Sequence, residues 1–223
     1  MLICLIYLNN IPYLIMIQEE KRLWKKGYKY VAGIDEAGRG PLAGPVVSSA
    51  VLILEKDFGH AKKIKSVRDS KKLSEKKREA VYPNLINSSK LKWGIGMVSE
   101  KMIDRINILE ATKISMIKAI KDLEKKNNIK VDHLILDGKM KLDLEIDQLS
   151  IIKADNKVFS VSAASIIAKV TRDRIMIEYD KVYPAYNFKK HKGYGTKEHM
   201  KKIKKNGVCK IHRKSFAPIS QIS

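Results

Sequence analysis

Apolar and polar positions along the chain change period several times, and each change marks a predicted element. Tyr30 to Ile34 is a short β-prone run ending at Asp35-Glu36, and Val46 to Leu54 is a second, after the glycine-rich stretch Ala37 to Gly44. The basic stretch Lys62 to Lys72 reads as a loop or helix edge. Ser74 is placed to cap a helix running to about Val81. Lys92 to Val98 is a third predicted strand, and Ser99 a cap for the helical region after it. Between Ile106 and Lys126, apolar residues at Ile106, Leu109, Ile114, Ile117, Ile120 and Leu123 describe an amphipathic helix. His133 to Leu136 is a brief strand closing at Asp137-Gly138, and Leu149 to Ile152 another that stops just before Asp155. Phe159 to about Tyr179 reads as a helix with Ala163, Ala164 and Ala168 on a small-residue face. Thr196 caps a last helix to Lys205, stopped by Asn206-Gly207. A run of strands followed by strands alternating with helices gives an α/β class with a mixed sheet.

Composition narrows the function classes. A chain of 223 residues with 44% hydrophobic content suits one domain with a full-sized core and is short for two. Its 45 Lys and Arg against 24 acidic residues give a net charge of +21. A field of that sign favours a polyanion, most commonly nucleic acid, although general enrichment in lysine would give the same total. Cys4 and Cys209 are too few for a disulfide framework or a paired-cysteine metal site, which fits a reducing compartment and a cytoplasmic location. The opening MLICLIYLNNIPYLIMI is apolar, but Asn9, Asn10 and Pro12 interrupt it as a membrane span. It also lacks the basic start and small-residue cleavage pattern of a signal peptide. Translation is expected to begin at Met16, with residues 1–15 an extension and 16–223 a single domain, and no membrane association is expected.

Three predicted strand ends carry carboxylates: Asp35 with Glu36, Asp137, and Asp155. Open α/β sheets bind their ligands outside strand ends. If the strands bearing Asp35 and Asp137 are neighbours, their backbones lie about 4.8 Å apart. Carboxylates that close repel unless a cation lies between them, and hard oxygen donors suit Mg²⁺ or Mn²⁺. Taken singly, each acid could equally cap a helix or pair with a lysine.

The string GIDEAGRGPLAGPVV (Gly33 to Val47) resembles the signature of the ribonuclease HII family. Further matches follow in the family's order: DSKKLS from Asp69, INILEAT from Ile106 and LILDG from Leu134. After these come ADNKVFSVSAASIIAKVTRDRIM from Ala154, HKGYGTKEH from His191 and HRKSFAPI from His212. The likeness runs from about Lys21 to Ile219, and its closing segment is similar to bacterial members. It implies a ribonuclease H-like fold: a five-stranded mixed sheet flanked by helices, with a helical C-terminal region. It also implies four metal-binding acids, which by motif position are Asp35, Glu36, Asp137 and Asp155. Ser162 departs from the family pattern, standing where an apolar residue is common.

The resemblance further implies an endonuclease acting on RNA–DNA hybrids and on ribonucleotide-containing duplex DNA, with a role in ribonucleotide and primer removal. Two Mg²⁺ or Mn²⁺ ions would serve the hydrolysis, leaving 5′-phosphate and 3′-hydroxyl ends. Gly38, Arg39 and Gly40 match the family's GRG loop, where the lack of a Cβ lets backbone approach a ribose, the sugar whose 2′-hydroxyl separates RNA from DNA. Tyr194, in KGYGT, matches the tyrosine packing on the sugar beside the scissile phosphate. Lys71, with Lys72 beside it, resembles a phosphate-contacting lysine, where the bland reading is a solvated face, and Ser165 and Lys169 are placed to help hold phosphates, with helix packing an equal account of Ser165. The cluster Lys189, Lys190, His191 and Lys192, interleaved with Tyr186, Phe188 and Tyr194, suits a duplex backbone. Of the five histidines, His133 is expected at a strand start and the others at the surface or near phosphate rather than as ligands. A monomer is expected. The rival readings are a DNA-cutting phosphoryl transferase, disfavoured by the GRG loop and Tyr194, and a non-catalytic binder, disfavoured by the intact acids.

Overall fold

In a computed structural model of the chain, residues 16–61, 64, 67 and 73–222 are described. The expectations for residues 1–15, for most of the basic stretch 62–72 and for Lys71 and Lys72 lie outside them. The helices are α1 (Gln18–Lys25), α2 (Phe58–Ala61), α3 (Glu75–Ile86), α4 (Glu100–Asn127), α5 (Phe159–Val182), α6 (Phe188–His191) and α7 (Lys197–Asn206). The strands are β1 (Val31–Ala37), β2 (Val46–Ile53), β3 (Leu91–Val98), β4 (His133–Asp137) and β5 (Asp147–Ile151), ordered β3-β2-β1-β4-β5 in one sheet. β1, β2 and β3 are antiparallel neighbours, and β4 is parallel to both β1 and β5. This is the five-stranded mixed sheet flanked by helices that the resemblance implied.

Alternation along the strands divides the core between the two faces. Val31, Val51, Ile53 and Ile135 pack towards α5, with Ala163, Ala164 and Ile167. Ala32, Ile34, Ala50, Leu52, Leu134 and Leu136 pack towards α4, against Met116, Ala119 and Leu123. The α5 face is unusually close at Gly33, where an added Cβ would run into Ser160 and the Val161 backbone. Ser160 is itself fixed from the far side, its amide and hydroxyl donating to Oε1 of Glu20 at 3.0 and 2.8 Å. Complete burial of Glu20 pushes its carboxyl up to about 7. Ser162 has a partner as well, donating its hydroxyl to the Val67 carbonyl at 2.5 Å, so its departure from the apolar pattern is a satisfied hydrogen bond.

Several boundaries differ from the sequence reading. β1 continues through Ala37 because β2 keeps pairing with it as far as Ala37↔Val47, so Asp35 and Glu36 lie within the strand. The amphipathic segment is the second half of a longer helix. α4 starts at Glu100 and turns at Asn107, whose φ of 64° and ψ of 169° lie in a region used almost only by glycine. There the Asn107 side chain re-caps the helix, accepting from the Leu109 and Glu110 amides. Ser74 and Thr196 cap α3 and α7 as expected, accepting from Lys77 N and His199 N. Ser99 precedes α4 without a side-chain cap bond. α3 runs past Val81 and Pro83 to Ile86, whose carbonyl accepts from the Trp93 indole. Asp155 lies in a 3-10 turn, Ala154–Asn156, after β5.

Residues 140–144 are held over the α4 face of β5: the Gln148 side chain bonds the Leu142 amide and carbonyl, Ser150 donates to the Met140 carbonyl, and Leu142 packs with Leu134 and Leu136. Among the described residues no helix is long and apolar enough to cross a membrane.

Gly33→Ala is expected to lose about 1–3 kcal/mol of stability in urea unfolding, because α5 must move off the sheet. Gly59→Ala, where a Cβ meets nothing within 4 Å, is expected to change little.

Candidate active site

β1 and β4 run parallel in the register Ile34↔Leu136, so the next residues, Asp35 and Asp137, stand side by side. Both share the parity of Gly33 and Ile135 and so point to the α5 side, whereas Glu36 leaves the strand on the other face. Asp35 is 2% exposed and turns one oxygen back to the Glu36 amide at 2.9 Å. Asp137 accepts from the Ala154 amide at 2.8 Å, which ties the turn carrying the buried Asp155 to the end of β4.

Asp35, Glu36 and Asp137 line a cavity of about 380 Å³ together with Gly38, Arg39, Gly40, Arg78, Ser165, Lys169 and Tyr194. Asp155 does not line it. A larger cavity, about 790 Å³, lies along β5 but brings together none of these groups. The sequence-predicted residues thus converge on one cleft, apart from Asp155, buried next to it, and Lys71 and Lys72, outside the described residues. As the side chains stand, no three His, Cys, Asp or Glu among the described residues converge closely enough to hold an ion. Asp35 and Asp137 each accept from a backbone amide, and Glu36 accepts from Arg39 Nη1 at 3.3 Å. By donor chemistry the set still fits a hard divalent cation, since it offers only carboxylate oxygens beside an open cleft.

The Ribonuclease HII family model matches residues 32–219. The chain belongs to the ribonuclease HII family. It is 53% identical over 205 residues to the ribonuclease HII of Acetivibrio thermocellus, covering 92% of this chain and 76% of that protein. Against the ribonuclease HII of Clostridioides difficile it is 52% identical over 197 residues, covering 88% and 73%. The crystal structure of ribonuclease H2 from Pyrococcus horikoshii superposes with a TM-score of 0.72 at 31% identity, covering 86% of this chain and 96% of that one. Family membership makes the chain an RNase H-type endonuclease with the fold expected from its motifs.

On the α5 side of this ribonuclease HII cleft, Lys169 donates to Asp173 at 2.7 Å, and its ammonium lies 5.8 Å from the centre of the Tyr194 ring. Burial lowers the Lys169 pKa, and Asp173 opposes that shift. Arg78 is a cleft residue that sequence reasoning missed, being one more cation in a lysine-rich helix. Its guanidinium donates to the Leu73 carbonyl.

The histidines need the largest correction. His191, His199 and His212 are buried, not at the surface, and stack with ring centroids 4.3 Å (His191–His199) and 5.2 Å (His199–His212) apart. Tyr186 and Phe188 are buried beside them, and Lys192 is buried with its ammonium 3.1 Å from Glu75. Only Lys189, Lys190 and Tyr194 of the expected duplex-facing cluster are exposed. The His60 side chain lies outside the described residues.

Backbone partners fix the tautomers of all three buried rings. The Tyr194 carbonyl can only accept, so His199 Nδ1 carries the proton at 2.9 Å. His199 Nε2 then accepts from His212 Nε2 at 3.1 Å. His212 Nδ1 accepts from the Cys209 amide at 2.9 Å. His191 takes the Gly193 amide on Nδ1 and donates through Nε2 to the Tyr186 carbonyl at 2.9 Å. Each ring is complete in its neutral form, and a proton added to His199 Nε2 would set two N–H groups against each other. Burial, with His191 and His212 nearby, lowers the His199 pKa to about 4.

The folded protein therefore refuses a proton that the unfolded chain takes up below about 6.5, and stability is lost as pH falls from there towards 4. A thermal-melting series across that window is expected to fall more steeply for the native chain than for His199→Asn, whose amide can still donate to Tyr194. Parallel curves would show that His199 titrates as it does in water.

Proposed function

We propose that the cleft hydrolyses the RNA strand of RNA–DNA hybrids and cuts on the 5′ side of single ribonucleotides in duplex DNA. The observation that carries this reading is that Asp35, Glu36 and Asp137 open onto the same cavity as Gly38, Arg39, Gly40 and Tyr194. A group able to organise phosphodiester hydrolysis and a group able to sense a 2′-hydroxyl then act on one nucleotide.

Asp35, Glu36, Asp137 and Asp155 would hold Mg²⁺ or Mn²⁺, which when bound activates water and offsets charge on the departing 3′ oxygen. The residues around them do the positioning. Lys169 and Arg78 present cations to the scissile phosphate, with the Ser165 hydroxyl within the same wall. Lys71 and Lys72 of the DSKK motif add phosphate contacts. The half-exposed Tyr194 ring offers a flat face to the sugar, and the exposed Gly40, with no Cβ, leaves room for the loop backbone to approach the 2′ oxygen. The charge of +21 draws the duplex in without reading its sequence. Products with 5′-phosphate and 3′-hydroxyl ends suit ribonucleotide and primer removal during DNA replication and repair.

The test is a labelled DNA duplex carrying one ribonucleotide, an RNA–DNA hybrid and an all-DNA duplex, each incubated with protein and Mg²⁺ or Mn²⁺. Cutting 5′ of the lone ribonucleotide with the all-DNA duplex intact is expected. Asp35→Asn should lower the rate by at least about 100-fold while binding persists. Wild-type rates in that variant would remove the carboxylates from the mechanism, and a wild-type protein that binds all three duplexes and cuts none is a binding protein.

A further inference from the structure

Two arginines that lie within quoted motifs but were given no role there stand behind the GRG loop. Arg172, on α5, and Arg213, near the C-terminus, are both fully buried. Among the described residues all their hydrogen bonds go to backbone carbonyls. Arg213 donates to Gly38 at 2.6 Å, to Arg39 at 2.9 Å and twice to Gly44, at 2.9 and 2.8 Å. Arg172 donates to Pro45 at 2.9 Å and to Ala43 and Lys192 at 3.0 Å each. The two guanidinium groups together engage five carbonyls of the segment 38–45, plus the one leading into Gly193-Tyr194. Burial lowers Arg213 to about 9 and Arg172 to about 10, which leaves both charged at neutral pH.

Burying a guanidinium without a carboxylate partner is costly, and carbonyl dipoles are what offset it here. The effect on the loop is directional. In a trans peptide the C=O and N–H bonds point opposite ways, and the peptides following Gly38 and Arg39 are trans. Drawing the Gly38 and Arg39 carbonyls in towards Arg213 therefore turns the Arg39 and Gly40 amides away from it. Arg39 and Gly40 are exposed and line the cleft, and neither amide donates to another described residue. A peptide whose carbonyl is bound to a cation is also polarised, so that its N–H is a stronger donor. Gly38 belongs to the same arrangement: its φ is +97°, and an added Cβ would collide with the Arg172 side chain.

We propose that Arg213, supported by Arg172, is a positioning residue that aims and polarises the Arg39 and Gly40 amides as paired donors to the 2′ oxygen of the ribose. This rests on the cleft being the ribonucleotide-selective nuclease site argued above. Neither arginine touches substrate, and both act through the peptide units they grip.

The experiment compares native protein with Arg213→Lys and Arg172→Lys on duplexes in which one nucleotide carries 2′-OH, 2′-F or 2′-H, after far-UV circular dichroism confirms folding. In Arg213→Lys, kcat on the 2′-OH duplex is expected to fall about 10- to 100-fold, the loss of one or two hydrogen bonds, with KM within about threefold. The preference for 2′-OH over 2′-F should shrink by the same factor, which a merely structural role would not produce. An unchanged 2′ preference in a folded, slowed variant overturns the proposal. A second measurement uses the native protein: the ¹⁵N signals of the Arg39 and Gly40 amides, followed without divalent metal, should shift with the ribonucleotide duplex and not with the all-DNA one. Equal shifts overturn the proposal even if both variants fail to fold. Native protein that cuts 2′-OH and 2′-H duplexes alike would instead refute the functional reading on which it rests.

Discussion

The parallel pairing of β1 with β4 sets Asp35 beside Asp137 on one face of the sheet, and the surroundings answer the repulsion between them. Each acid turns one oxygen to a backbone amide, and the amide held by Asp137 belongs to the turn that carries Asp155. The same face must receive α5 at very short range, which Gly33 allows and Glu20 secures by holding Ser160 at the first turn of the helix. Once α5 is seated there, Ser165 and Lys169 fall on the cleft, and Arg172 follows beneath the loop that opens it. Strand pairing thus places the carboxylates, and one helix–sheet contact brings Ser165 and Lys169 to face them.

The C-terminal segment adds a second layer of support. His212 is linked through His199 to the Tyr194 carbonyl, and the neighbouring Arg213 holds the carbonyls of Gly38, Arg39 and Gly44. Two adjacent residues thereby fix the two sides of the cleft relative to each other, one by neutral ring nitrogens and the other by a cation. The pairing of Ala43 with His212 and the bond from Leu42 N to the Gly193 carbonyl close the same circuit through backbone.

Much of this was legible in the chain itself. The strands before Asp35 and Asp137 follow from short β-prone runs, and the cleft gathers the GRG loop, Ser165, Lys169 and Tyr194 as the motifs implied. What was not legible depends on contacts between distant segments. β1 runs past Asp35 because β2 continues to pair with it, and Asn107 breaks a helix that periodicity alone joins only from Ile106 onward. His191, His199 and His212 read as surface residues because polar side chains usually are, and only their mutual stacking makes a neutral, buried set favourable. Arg78 was hidden in a lysine-rich helix, and Arg172 and Arg213 lie within recognised motifs whose residue pattern gives no hint of what they hold. The carbonyls that select the last two are invisible to side-chain patterns.

The outer strand β5 bears on how the molecule meets others of its kind. A central strand is saturated on both sides, but β5 has only β4, and a bare outer row of amides and carbonyls is a template on which a foreign strand can grow. Here that row is only five residues long, opens at the charged Asp147, and exposes polar side chains at Asp147 and Ser150. An incoming chain would find few backbone bonds to make and a carboxylate at the start of the row. In a crowded solution of nascent and unfolded polypeptides, that shortness favours the separate folded molecule over a continuous ribbon of shared sheet.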